Sequence, residues 1–183
     1  MNNTLHQRNN TKLIEALSAD GPDPKLKEKL MLFGQFVGDW EIESEWYLPD
    51  GLTPKGLGEI HFGWILNGTA IEDVWSGRVE NPPPGFPSSG FVMTIRFYDP
   101  KVDAVQIISI APAEGVIQIF VARQVGDEIV LEGKTANAQF PERWIFSEIT
   151  PDSFHWRAAE SHDDEKTWSL TQKIFARRIR PDK

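Results

Sequence analysis

From Trp40 onward, apolar and polar residues alternate with a period of two. Trp40, Ile42, Ser44, Trp46 and Leu48 interleave with Glu41, Glu43, Glu45 and Tyr47. That is the pattern of a strand with one face buried and the other wet. The alternation continues over Gly56–Ile65 and Thr69–Gly77, and Asn67-Gly68 between them reads as a hairpin turn. Further strands are predicted at Phe91–Tyr98, Ala104–Ile110, Gly115–Arg123, Glu128–Lys134, Arg143–Ile149, Ser153–Ser161 and Trp168–Arg178. Asp50-Gly51, Asp99-Pro100, Gly126-Asp127, Pro151-Asp152 and the run from His162 to Glu165 supply turn chemistry between them. About ten short strands, with no room for a βαβ crossover, predict an all-β fold. Closure into an antiparallel up-and-down β-barrel would remove the exposed edges.

Upstream the period is helical. Leu13, Ile14 and Leu17 predict a short helix over Thr11–Ala19. A second is predicted from Pro24 to about Phe36, with Asp23 as its cap and Leu26, Leu30 and Phe33 as its apolar stripe. The expected organisation is a frayed polar tail at 1–10, helices over 11–36 that pack on or cap the barrel, and the barrel over 37–180.

The alternation also assigns faces. The inward set is Trp40, Ile42, Trp46, Ile60, Phe62, Trp64, Ile71, Trp75, Trp144, Phe146, Phe154, Trp156, Ala158, Trp168, Leu170 and Ile174. Ser44, Ser109, Gln118, Glu148, Glu160 and Gln172 are its polar members. The outward set is Glu41, Glu43, Glu45, Glu59, His61, Glu72, Arg143, His155, Arg157, Lys173 and Arg177. Strands 91–98, 104–110 and 115–123 are apolar on both faces. Val92, Thr94, Ala104, Ile108, Ile110, Ile117, Ile119 and Val121 form their second face. Such a wall needs a cover, either the N-terminal helices or a second subunit. A homodimer through these strands is the expectation.

Composition sharpens the interior. The 183 residues include seven tryptophans and eleven phenylalanines, and most of the tryptophans fall on the inward set. An aromatic-lined barrel is a place for a small apolar or aromatic ligand. A net charge of −8 argues against nonspecific binding to nucleic acid or anionic membrane. The chain has no cysteine, which excludes disulfides, thiolate metal sites and cysteine nucleophiles. With no secretory leader and no apolar run of membrane-spanning length, a cytoplasmic protein is expected.

The candidate ligand-binding residues are Trp46, Phe62, Trp64, Trp75, Arg96, Gln118, Phe120, Trp144 and Trp156. Asp73 is the candidate catalytic residue. It shares a face with Ile71 and Trp75, and desolvation there would fit it for general acid–base work. Arg96 lies on an ambiguous strand, so it serves either as an internal anchor or as an interface residue. In an inverted register, Glu59, His61, Glu72, Arg143, His155 and Arg157 would line the interior instead. Only that register would allow a haem through His61 or His155; otherwise no cofactor is expected. No histidine pair has metal-site spacing, so no metal site is expected either. The proline-rich segment Asn81–Gly90 is either a cover for a cavity mouth or a surface connection. Three readings follow: a small-molecule binding module, a cofactor-free acid–base enzyme in the same cavity, or an interaction protein with a filled barrel.

Phe36-Val37-Gly38-Asp39-Trp40 resembles the Gly-x-Trp opening of lipocalin-like barrels. Trp64–Gly68, Phe97–Pro100, Gly126–Ile129 and Thr167-Trp168 follow in matching order. The chain resembles an uncharacterised bacterial family of the calycin (lipocalin-like) superfamily over roughly residues 33–178. The resemblance implies a ligand-binding barrel in which Arg177 or Arg178 packs on Trp40. It carries no catalytic residues. Val105 stands where the family pattern suggests an aromatic, which would widen the cavity locally.

Overall fold

A computed structural model describes residues 11–135 and 140–180. The tail at 1–10 lies outside the described residues. Residues 11–17 form α1, followed by β1 (Ser18–Ala19) and α2 (Lys27–Gly34). The strands then run β2 (Gly38–Trp46), β3 (Lys55–Ile65), β4 (Ala70–Val79), β5 (Ser89–Asp99) and β6 (Ala104–Ala111). They continue as β7 (Val116–Val125), β8 (Glu128–Thr135), β9 (Glu142–Ser147), β10 (Ser153–Glu160) and β11 (Ser169–Arg178). Each pairs antiparallel with the next, and β11 pairs with β2. The result is a closed up-and-down barrel of ten strands, the fold class the alternation predicts. The two-residue β1 adds to β3, with Ser18 opposite Ile65. No described helix is long and apolar enough to cross a membrane.

The lower end is shut by aromatic packing. Phe33 of α2 and Phe36 just beyond it are fully buried. The Phe36 ring lies 5.0 Å from Phe146, 4.9 Å from Phe154 and 5.8 Å from Phe62, centroid to centroid. Trp40 packs edge-on to Phe154 at 4.8 Å, and its Nε1 donates to the Phe36 carbonyl at 2.7 Å. Arg178 covers the other Trp40 face, with its guanidinium 4.1 Å from the ring. Its nitrogens donate to the carbonyls of Gln35, Val37 and Pro151. Of the two arginines expected at Trp40, it is thus Arg178 that takes the place. Arg177 points outward to Glu43.

Two glycines let the helices sit this close. A Cβ on Gly34 would lie 2.7 Å from the Trp64 ring. Gly68 has φ +77° in the β3–β4 turn, and a Cβ there would meet the Gly21 carbonyl at 2.2 Å. Asp23 does not cap α2. It caps the turn before it, accepting from the Lys25 amide at 2.7 Å.

The face assignment holds on β2, β3, β4, β9 and β10, with four corrections elsewhere. Leu170 lies beyond the bulge at Ala158/Ala159, opposite Ala159, whose partner on β9 is the outward Arg143, so it shares the outer face. Trp168 lies outside the barrel, ahead of β11, with the Arg143 guanidinium 4.1 Å from its ring. Glu148 has left the end of β9 at φ +50° and is exposed beside His155. On β5 the face of Val92, Thr94 and Arg96 is the inner one, and Phe91, Met93 and Ile95 point outward. The helices gather at the lower end, where α2 touches β4, β5 and β6. They leave Phe91, Ile108, Ile117 and Ile119 exposed on the outer wall.

Candidate functional site

Above the Phe33–Phe36 plug the barrel holds a cavity of about 200 Å³. Its floor is an ion pair: Arg96 on β5 donates to Asp73 on β4, and both are buried. Their strands are paired, with Asp73 opposite Thr94, so both side chains leave the same inner face. The Arg96 guanidinium also lies between two rings, 4.9 Å from Phe33 and 5.3 Å from Phe62. Burial raises the Asp73 carboxyl above its ordinary range, and the charge and hydrogen bond of Arg96, with the Thr94 side chain, offset only part of that.

The middle of the cavity is a belt of three tryptophans. Trp156 packs edge-on to Trp75 at 5.8 Å and to Trp144 at 5.3 Å. Phe120 backs Trp144 at 4.2 Å. The rim is polar. Gln118 Nε2 donates to Glu142 at 2.6 Å; Glu142 also accepts from the Thr135 amide at 3.1 Å and from its hydroxyl. Glu160 and Gln172 complete this level.

Trp75, Val92 and Gln172 also line a second chamber of about 160 Å³ toward the upper end. The proline-rich segment closes over it: Phe86 packs on Trp46 at 5.5 Å, and Pro87 lines the chamber beside it. Of the two readings of that segment, it is the mouth cover that matches its position.

The predicted site residues therefore divide. Phe62, Asp73, Trp75, Arg96, Gln118, Trp144 and Trp156 line the cavity together, and Trp46 lines the upper chamber. Phe120 stands behind Trp144. Trp64 lies below, against Gly34 of α2 and outside the cavity lining. Val105 is buried in the core cluster and widens nothing. The inverted register does not occur. His61 faces outward between Asp39 at 2.7 Å and Glu59 at 3.2 Å, and His155 pairs outside with Glu148 at 3.1 Å. Neither imidazole reaches the interior, so neither could hold a haem there.

Sequence reasoning missed Glu142, Thr94 and Phe86. Glu142 was within reach, because it stands two residues before the inward Trp144 on one strand.

No known family profile matches the chain, and no curated protein matches it in sequence. Solved structures do match in shape. The chain is similar to Rv2717c from M. tuberculosis, with TM-score 0.61 at 14% identity over 87% of this chain and 99% of that one. It is also similar to the S-type phycobiliprotein lyase CPES from Guillardia theta, with TM-score 0.57 at 11% identity over 83% of this chain and 93% of that one. At such identities the likeness is one of fold, and the fold is a lipocalin-like barrel.

Proposed function

We propose that this protein binds a small apolar or aromatic molecule inside the barrel. The tryptophan belt carries this reading: Trp75, Trp144 and Trp156 border a space that the chain's own side chains leave unfilled. A dry apolar cavity of about 150 Å³ takes one benzene ring. The space here, about 200 Å³ with a further chamber above it, suits a substituted ring. Gln118, Arg96 and Asp73 are the polar groups positioned to orient it. A lyase among the structural neighbours favours a barrel with a working interior over a filled one. The order of the sequence motifs favours a place among the uncharacterised bacterial calycin barrels.

Tryptophan fluorescence titrated with 2-naphthol tests the reading. Saturable quenching is expected in the native protein. It should be lost in Ala158→Leu, which fills space opposite Trp144. Unsaturable quenching by every aromatic tried, neutral or charged, would sink the proposal.

Burial of Asp73 favours a second reading, an acid–base enzyme in the same cavity. Replacement by Asn separates the two: retained binding with lost turnover supports the enzyme, and lost binding alone supports the module. We also infer a homodimer through the outer faces of β5, β6 and β7, where Phe91 is 66% exposed beside Ile108, Ile117 and Ile119. A monomeric mass by light scattering at micromolar concentration would exclude it.

A further inference from the structure

We infer that the cavity selects an organic cation, an ammonium group carrying an apolar or aromatic body. This rests on the reading of the barrel as a binding module and names the class of its ligand.

The charge of the lining is the first observation. Among the described residues, the two chambers are lined by Asp73, Glu114, Glu142 and Glu160 on the acidic side, and by Arg96 alone on the basic side. Arg96 is already engaged by Asp73. Glu142 is only 8% exposed, and its three hydrogen bonds come from neutral donors. A buried charge without a counter-charge is costly. Among the described residues no Lys or Arg forms an ion pair with Glu142 or Glu160. The imidazole of His162 lies 3.5 Å from Glu160.

The register supplies the second. Glu160 is directly opposite Glu142 on the β9–β10 ladder, and both line the cavity. Like charges at directly opposed positions repel. A cation between them would turn that repulsion into two attractions. The next inward pair down the same ladder is Ala158 opposite Trp144. The small alanine leaves room beside the Trp144 ring, and Trp156 follows two residues below. Tryptophan faces are the best of the aromatic cation binders. Among the described residues, three buried polar atoms without a partner mark the space as one that a ligand completes: Nε2 of the lining Gln172, Nε of the lining Arg96, and Ser109 Oγ on the inner face between the lining residues Thr94 and Gln118.

The ligand's positive head therefore sits below the Glu142–Glu160 pair and against the Trp144 and Trp156 rings. Its apolar body runs down toward Phe62 and Ile60, where the Arg96–Asp73 floor is already neutralised. An anion would meet the Glu142 and Glu160 carboxylates at the rim. A neutral ligand would leave the carboxylate repulsion in place.

Benzyltrimethylammonium and neopentylbenzene have the same shape and differ in charge, so titrating both by tryptophan fluorescence isolates the charge. The ammonium is expected to bind about tenfold tighter. Glu160→Gln should weaken the ammonium about threefold and leave neopentylbenzene within about twofold. Glu160→Lys, which supplies its own cation opposite Glu142, should abolish the ammonium's preference. The Glu160 side chain is 40% exposed, so a folded Gln variant is expected, and its melting curve confirms it. Equal or tighter binding of neopentylbenzene overturns the inference. So does an ammonium affinity that Glu160→Gln leaves unchanged. Displacement of the ammonium by millimolar calcium, at matched ionic strength, reassigns the carboxylates to a metal and overturns it too. If 2-naphthol binds and the ammonium does not, the cation assignment fails and the binding module stands. If nothing binds, the module itself fails.

Discussion

The two ends of the barrel are built from the same residue types to opposite effect. At the lower end, Phe33, Phe36, Trp40, Phe146 and Phe154 meet ring against ring, and the space between them is closed. In the upper half, Trp75, Trp144 and Trp156 also touch one another, yet they border open volume. The difference is who fills the gap. Below, α2 and the turn after it deliver two phenylalanines from outside the sheet. Above, the described residues supply Phe86, which covers the mouth and leaves the space beneath it open. Aromatic content alone therefore does not distinguish a core from a pocket; the presence of a plugging segment does.

The sharpest break of this comparison is Phe36→Ala. Five aromatic rings surround Phe36, so truncation should cost about 3–5 kcal/mol in denaturant unfolding. Trp75→Ala, in the partly unfilled belt, should cost clearly less. Equal costs would mean that the two halves are packed alike.

Next comes the floor between them. Arg96→Met leaves Asp73 buried without its cation and should cost about 3 kcal/mol. Adding Asp73→Leu should recover most of that, because a buried ion pair is replaceable by apolar residues of similar volume. A double variant no more stable than Arg96→Met would show that the pair itself holds the floor.

At the lower rim, Arg178→Ala removes the stack on Trp40 and the donors to three carbonyls. A loss of about 1–3 kcal/mol is expected. At the upper rim, Phe86→Ala should change stability by less than about 0.5 kcal/mol, yet increase acrylamide quenching of Trp46. An unchanged quenching constant would remove the segment's role as a cover.

The smallest effect is one of pH. Asp103 accepts from Lys29 Nζ and Tyr98 OH, each at 2.7 Å, and so ties α2 to the end of β5. The Lys29 hydrogen bond, then that of Tyr98, holds its carboxyl below the ordinary range. A depressed value means the tie is fully present above about pH 3.9, the unfolded value. It is lost as pH falls through the lower folded value. Melting curves from pH 5 to pH 2 should therefore decline slightly less steeply for Asp103→Asn than for the native chain. Identical slopes would make this contact incidental.

Much of this was legible in the chain. Each predicted strand overlaps an observed one, and Asp73 falls on the inner face because Ile71 and Trp75 bracket it at period two. The limits were physical. On β5, β6 and β7 both faces are apolar, so no polar phase marks which is inside. Arg96 was the single charged residue over 91–98, and a charge ordinarily points to water. Only the pairing of β4 with β5 brings Asp73 to it. Trp168 misled for a different reason: it stands in the turn before β11, where the strand's period does not yet apply. Phe86 sits among prolines with no period at all, and its contact with Trp46 spans distant segments.

The Arg178 clasp has a consequence for how the molecule comes into being. It ties β11 to carbonyls beside β2, 141 residues earlier along the chain in the case of Val37. Until β11 has been synthesised, β2 lacks one of its two neighbours, and the floor of aromatic rings has no lid of charge. Closure must therefore wait until residue 178 has been made, and contacts of such long range are slow to form. A nascent chain stopped short of β11 would carry two open sheet edges. It is at that stage of synthesis, rather than in the finished barrel, that this protein would most need protection from other chains.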